Sequence, residues 1–432
     1  MKNLNGAILS IVLSLTICLA AIAQDKVSLD LTTVLAMGGA NNLTIQESIL
    51  KQDEAHAKFL ESREWWVPEI YAGLAIDRLW GSAMNGDGRF FTDVTRKSLW
   101  GGLGGEGTWN FAQGVHETQI ANLEIQAAEF ATKAERNDAL LNTIDAYYDF
   151  LNSQFNYAAY EQLVAQNKEL IGQLEVQVDA GLRYQSDLLL AKSNHNHLKV
   201  NMLNAKLDQA MHGAELMELL NLSEAVTIEA VDQLLPLELE SAADRLVVNE
   251  ELFQKQHNIQ AANCTLEAME MERSYIRTGI WLPELKLGGY ASVFGDIPTP
   301  VYPTQGATAS VMWNIPLGQL IFRGEQRQLE ARIAMKELHI EQLKSSTNAQ
   351  VRGAEAILTG ATEQLSLAEE GRALGAEVLK QCIERQNLGT VVPFELMQAQ
   401  ENYIQSQLDY LRAVATLNKA QYRLHVVKGN DL

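Results

Sequence analysis

The sequence predicts a mainly α fold with a membrane β-barrel portion, built from long antiparallel coiled-coil helices and four strands per chain. Three observations carry that expectation. Two stretches, Gly114 to Gly181 and Gly324 to Gly389, run without proline in a helical pattern. At 1.5 Å per residue each could reach about 100 Å, far beyond an ordinary globular helix. Four short segments alternate apolar and milder residues with the period of strands. The chain also opens on an apolar run of the kind that directs export.

That opening run justifies the first element, a secretory signal over residues 1–23. Lys2 precedes the apolar stretch from Ala7 to Ala23, and Ala21-Ile22-Ala23 before Gln24 supplies a small-residue cleavage site. A retained anchor competes, but about twenty apolar residues are needed to span and no stop-transfer pattern follows. Cys18 raises a lipidated alternative; Ile17 stands against it, because a lipid-modified cysteine usually follows a small residue. Cys264 and Cys382 are two thiols far apart in sequence, which is no disulfide framework. Both read as packed helix residues, with a single disulfide as the open alternative.

Past the signal no apolar run approaches the length of a membrane helix, so the exported chain either stays soluble or crosses the outer membrane as strands. It carries 54 acidic against 34 basic residues, a net charge of -20. That balance argues against nucleic acid or anionic lipid as the main partner. It suits cation-attracting surfaces or a solvated acidic exterior.

The chain is written twice. Trp66-Val67-Pro68-Glu69-Ile70 returns as Trp281-Leu282-Pro283-Glu284-Leu285, and Trp109-Asn110-Phe111 as Trp313-Asn314-Ile315. Gly114 with Ala121 matches Gly324 with Ala331, and Gly181, Asp187, Leu188 and Ala191 match Gly389, Glu395, Leu396 and Ala399 in spacing. The repeats are expected over residues 24–220 and 242–428, with a linker at 221–241 that contains Pro236. Each half follows one plan: helix, strand, loop, strand, long helix, turn, helix.

In the first long helix Leu123, Ala127, Phe130, Ala134, Leu141, Ile144, Tyr148, Leu151 and Phe155 keep heptad spacing, broken only by Asn137. In the last helix Leu396, Tyr403, Tyr410, Leu417 and Leu424 recur every seven residues. The first four are each followed three residues later by Ala399, Ser406, Ala413 or Ala420. Large and small residues alternating on one seam let helices approach and interlock, so coiled-coil packing is expected. An ordinary helical core explains the stripe but not the unbroken length.

The strand pairs are expected at 68–80 with 99–111, and at 283–294 with 306–315. In the first strand Ile70, Ala72, Leu74 and Ile76 oppose Tyr71, Gly73, Ala75 and Asp77; in the third, Leu285, Leu287 and Val293 oppose Glu284, Lys286 and Ser292. A soluble sheet packed on a core gives the same alternation. Tryptophan placement separates the two readings: all seven tryptophans lie in or beside these strands. Trp66, Trp80, Trp100, Trp109, Trp281 and Trp313 suit the aromatic girdle of a membrane barrel. Four strands cannot close a barrel, so several copies must contribute: two give eight strands and three give twelve.

A signal, two tandem halves, two strand pairs and long antiparallel helices together resemble the TolC-like outer-membrane efflux proteins, the outer component of tripartite pumps and one-step secretion systems. The resemblance rests on Pro68 and Pro283 before a strand, on Gly114 and Gly324 at the long helices, and on the tip patterns. The tips are Ala180-Gly181-Leu182 with Asp187-Leu188 and Ala191, and Gly389 with Glu395-Leu396 and Ala399. One departure is Leu219-Leu220-Asn221, where many relatives have Leu-Leu-Gly. The resemblance implies a homotrimer in outer-membrane lipid, with a twelve-stranded β-barrel and a periplasmic α-barrel. It also implies a periplasmic adaptor docking at the helical tips, at Gly181, Leu182, Gly389 and Thr390, and an inner-membrane transporter that supplies energy. Glu377 and Glu384, near the second tip, are gate candidates by position and charge; a solvated outer face is the competing reading. Glycine at the tips also serves turn geometry alone.

Enzymatic chemistry is not expected. His195 and His197, two apart on a helix, point about 200° from each other and cannot grip one ion. No phosphate-cradling loop, Cys/His cluster or activated nucleophile is present, so no cofactor, metal or nucleic-acid partner is expected. The alternative to a channel is a soluble periplasmic structural or binding protein, built as a helical hairpin rod.

Overall fold

A computed structural model of the chain describes residues 26–223, 226–237, 249–296, 300–387 and 393–432; the expected signal lies outside the described residues. Strand β1 (Lys26–Leu29) leads into helices α1 (Leu31–Asn41) and α2 (Leu43–Glu61), strands β2 (Glu69–Met84) and β3 (Phe90–Trp109), the 69-residue helix α3 (Phe111–Asp179) and its return α4 (Gln185–Leu219). Strand β4 (Thr227–Ala230) is followed by α5 (Glu250–Lys255), α6 (His257–Thr278), β5 (Glu284–Asp296), β6 (Tyr302–Met312), the short α7 (Leu317–Phe322), the 64-residue α8 (Gly324–Asn387) and α9 (Pro393–Val427). These fall into two compact units. One comprises Met1–Ile49, Thr132–His257 and Ser345–Leu432; the other comprises Leu50–Ala131 and Asn258–Lys344.

The second unit holds a four-stranded sheet of order β2-β3-β5-β6, antiparallel throughout. Its register decides which side chains share a face. Ile70, Leu74 and Ile76 lie opposite Gly105, Gly101 and Leu99, which lie opposite Gly289, Val293 and Gly295. One face therefore carries Ile70, Leu74, Ile76, Leu103, Leu287, Val293 and Val311, and the other Tyr71, Asp77, Trp100, Glu106, Lys286, Ser292 and Thr308. The apolar face is open: Ile70 is 84 % and Leu74 71 % exposed.

The first strand pair is longer than its expected bounds. Phe90, Phe91 and Val94 are strand formers that pair with Met84, Ala83 and Gly81 across a bulge. Gly81 accommodates that bulge at φ 110. The Asn85 carboxamide oxygen accepts from the Asp87 and Arg89 amides and confines the turn to a few residues. In the second half β6 begins at Tyr302 and stops at Met312, short of Ile315; Asn314 beyond it donates to Glu284.

The first unit is helical. Its largest core gathers Ile144, Tyr147, Phe150 and Leu151 of α3, Leu216 and Leu220 at the end of α4, and Tyr410 and Val414 of α9 around the parallel pair β1–β4. Tyr147, fully buried, donates to Asp232 at 2.7 Å, and the same carboxylate oxygen accepts from the Leu31 amide at 2.8 Å. The Gln154 amide pairs with both backbone groups of Ala230, satisfying the edge of this small sheet. The heptad seam of α9 is inward-facing: Leu396, Leu417 and Leu424, with Ala399, Ala413 and Ala420, are all buried.

Asn137, the break in the first seam, is a deliberate polar contact. Its side chain donates to Asp431 and accepts from the Leu432 amide, so the tail after α9 is tied to α3. Asn221 resolves the Leu-Leu-Asn departure. It sits at φ 49, with its amide bonded to Glu218 and the next amide to Met217, a Schellman turn in which asparagine replaces glycine.

Candidate functional site: the helical tips

Helix α3 ends in the same kind of turn. Gly181 adopts φ 74, its amide bonds Val178 and the Leu182 amide reaches back to Gln177, so the orphan carbonyls of the last turn are satisfied. In this motif the residue after the glycine ordinarily packs on the residue three from the helix end. At the Asn221 turn it does pack, since Leu222 lies against the main core. At the tip the corresponding position on the helix is Gln177, and Leu182 is 75 % exposed. Val176 and Tyr184 are exposed beside it, at 70 % and 80 %.

A buried cluster stiffens the structure behind this turn. Leu170 and Leu174 of α3, Leu188 and Ala191 of α4, and Leu396 and Met397 of α9 pack together, with Leu379 and Cys382 of α8 against them. Both helical hairpins thus meet in one core near their tips. Ion pairs reinforce each: Lys192 with Glu175 at 2.7 Å, and Arg385 with Glu395 at 3.4 Å. Such exposed pairs are individually weak.

The expected site residues fall unevenly. Gly181 and Leu182 form the first tip; Gly389 and Thr390, with Val391 and Val392, lie outside the described residues, while Phe394 beside them is exposed. Glu377 and Glu384 are both exposed on the last turns of α8, and Gln381 donates to Glu377 at 2.8 Å. Their neighbours Leu379 and Cys382 point into the tip core. Cys264 and Cys382 are free thiols. Val176 and Tyr184 were missed by sequence reasoning, because an apolar residue next to a helix end reads as hairpin packing until the fold shows it uncovered.

At the sheet, Trp66, Trp80, Trp281 and Trp313 are exposed. Trp109 shares the apolar face, and its indole donates to the Trp66 carbonyl at 2.8 Å. Trp100 lies on the other face from Trp80 and Trp109. Strand alternation puts it on the polar face opposite Ala75, with its ring against Gly73.

Elsewhere His195 is held below its usual pKa by partial burial and then by Lys199 and Lys168, while His197 contacts Asn201. Among the described residues no cluster of His, Cys, Asp and Glu could hold a metal ion, and no helix is long and apolar enough to cross a membrane.

Residues 39–222 match a family model described as outer membrane efflux protein. No protein with a curated description matches the chain in sequence. Solved structures of similar fold include the Campylobacter jejuni CmeC outer membrane channel, with a TM-score of 0.80 and 14 % identity over 92 % of this chain and 85 % of that one. The outer membrane protein VceC from Vibrio cholerae gives 0.74 and 12 % over 93 % and 96 %. The open state of the Neisseria gonorrhoeae MtrE outer membrane channel gives 0.74 and 14 % over 93 % and 89 %. At these identities the likeness is one of fold. Residues 39–222 are therefore similar to outer membrane efflux proteins, and the chain has the fold of these outer-membrane channels over nearly its whole length.

Proposed function

We propose that the chain is an outer-membrane exit duct for efflux or one-step secretion, assembled from three copies and working with a periplasmic adaptor and an inner-membrane transporter. The observation that carries this reading is the sheet. Its order leaves one edge of β2 and one of β6 unpaired, and unpaired backbone in lipid is costly. β6 runs antiparallel to β2, so β6 of one copy can continue the ladder onto β2 of the next. Three copies of the four-stranded sheet give twelve strands, enough for a lumen. The open apolar face suits lipid and counts against a soluble hairpin rod.

The polar face then lines the lumen. Glu69, Asp77, Glu106 and Glu284 outnumber Arg96 and Lys286 there, which favours cations. A row of exposed apolar residues on α4, Val200, Leu203, Leu207 and Met211, keeps the three- and four-residue spacing of a helix seam and suits packing against a second copy. Leu182, Val176 and Tyr184 suit the adaptor, and Glu377 and Glu384 the periplasmic gate.

Single-channel conductance of the detergent-purified protein in a planar bilayer tests the duct. A small, cation-selective conductance is expected, rising in Glu377→Gln/Glu384→Gln. Folded, oligomeric protein that conducts nothing would overturn the reading; conductance unaffected by the double substitution would move the gate elsewhere.

A further inference from the structure

The two halves differ where the strands end. Ten residues lie between Trp313 and Gly324, where four lie between Trp109 and Gly114, and the longer connection contains α7. This short helix leaves Leu317, Ile321 and Phe322 uncovered, at 66 %, 71 % and 76 %. Beside it lies a cavity of about 270 Å³ lined by Arg277, Trp281, Gln319, Leu320, Arg323 and Glu325, among others. Among the described residues neither guanidinium makes an ion pair, and Glu325 is already engaged by the Gln319 amide. Arg323 is held at φ 51, in the left-handed region that disfavours a residue with a side chain.

We propose that this cavity binds the phosphate of a glycerophospholipid headgroup between Arg277 and Arg323, with the acyl chains lying against α7. The inference rests on the sheet being membrane-inserted. Trp281 precedes β5 by three residues and Trp313 follows β6, and Glu284 pairs with Met312, so the cavity lies at one common end of the strands. Amphipathic tryptophan rings sit at headgroup level, and a short apolar helix with cations behind it is the arrangement of an interfacial anchor. A guanidinium offers a planar fork of donors that matches phosphate oxygens. The volume is below the roughly 300–1,000 Å³ of a drug-sized site, so a headgroup enters and the chains stay outside. The net charge of -20 repels anionic surfaces in general, so lipid phosphate needs a local pair of cations.

A cavity of the first half, about 450 Å³, has the opposite character. It is lined by Glu61, Glu117 and Glu124, and its cation Lys58 is paired with Glu54 at 2.7 Å. By the spacing of the repeats, Arg277 and Arg323 fall where the first half has Ser62 and Gln113, so the pair of cations belongs to the second half.

Native mass spectrometry of the full-length oligomer, purified in mild detergent and titrated with phosphatidylglycerol, phosphatidylethanolamine or inorganic phosphate, tests the inference. The wild type is expected to retain phospholipid, and Arg277→Gln/Arg323→Gln to weaken its binding at least about tenfold. Arg277→Lys/Arg323→Lys is expected to restore part of the affinity. Equal retention in wild type and the glutamine variant overturns the site; binding of inorganic phosphate without lipid overturns the lipid source. Should the glutamine variant fail to assemble, a phospholipid with a photoreactive group near its headgroup is applied to wild type. Cross-links at residues 317–323 support the site, and cross-links confined to the strands overturn it. Wild-type protein that binds lipid here but conducts nothing upholds the site while sinking the duct.

Discussion

Leu74 and Ala75 are neighbours in β2, yet the register sends them to opposite faces: Leu74 to the apolar row beside Gly101, Ala75 to the polar face opposite Trp100. The apolar row from Ile70 to Ile76 spans about 20 Å at roughly 3.3 Å per residue, close to the ~25 Å band of a membrane barrel. It ends at Arg78 and Lys97, which pair directly. Leu74 lies near the middle of that row, where an arginine costs about 2–4 kcal/mol, or a factor of about 30 to 700 in the folding equilibrium. In a trimer the penalty recurs in every copy. Leu74→Arg is therefore expected to lose most of the heat-stable oligomer from the outer-membrane fraction and to lower the urea midpoint of protein refolded into vesicles. Ala75→Arg places the same charge toward water; its stability should stay within about 1 kcal/mol, while cation conductance falls. Comparable losses at both positions, or a greater loss at Ala75, would refute the assignment of the faces.

Three further outcomes follow from the helical unit. Leu182→Asp, at an uncovered tip position, should change stability by less than about 0.5 kcal/mol but weaken adaptor docking by the ~1.5–3 kcal/mol of a buried leucine, measured by calorimetry; unchanged affinity would move the docking surface off the first tip. Tyr147→Phe removes a buried donor to a carboxylate and should cost about 1–3 kcal/mol in urea unfolding, whereas a shift below about 0.5 kcal/mol would mean that Asp232 is satisfied without it. The Asp431 carboxyl is held below its ordinary range first by the hydrogen bond from His257, with Asn137 also contributing. Its contribution is thus present above the unfolded value of about 3.9 and is lost as pH falls through the lower folded value. Asp431→Asn should flatten the acid limb of a thermal-stability profile below about pH 4, and an unaltered limb would count against the pairing.

Period-based features were legible from the residues alone. The seven-residue recurrence from Leu396 to Leu424 is a local property of one helix, and its buried seam needed no knowledge of the partner helices. The alternation of β2 likewise named its apolar side. The turn at Gly181 was readable because only a residue tolerant of positive φ can close it. The identity of the tip surface was less so. Leu182 and Leu222 occupy the same position in the same turn motif, one uncovered and one packed, and only the neighbours of each decide which. Trp100 shows the same limit: its place near a strand end is legible, but its neighbours Ala75 and Gly73 across the sheet come only from the pairing with β2.

The sequence by itself determined that two repeats of long helices alternate with strands, that one sheet face is apolar, and that glycine or asparagine punctuates the turns. Those properties are set by side-chain periodicity and backbone sterics within a few residues. Tertiary structure alone decided that β3 pairs with β5, that Asn137 holds Asp431 and Leu432, that both hairpins share a core behind their tips, and that Arg277 and Arg323 face one cavity. Each of those joins residues dozens to hundreds of positions apart, brought together by the burial of apolar surface and the pairing of backbone groups, and neither leaves a mark on the local pattern of the chain.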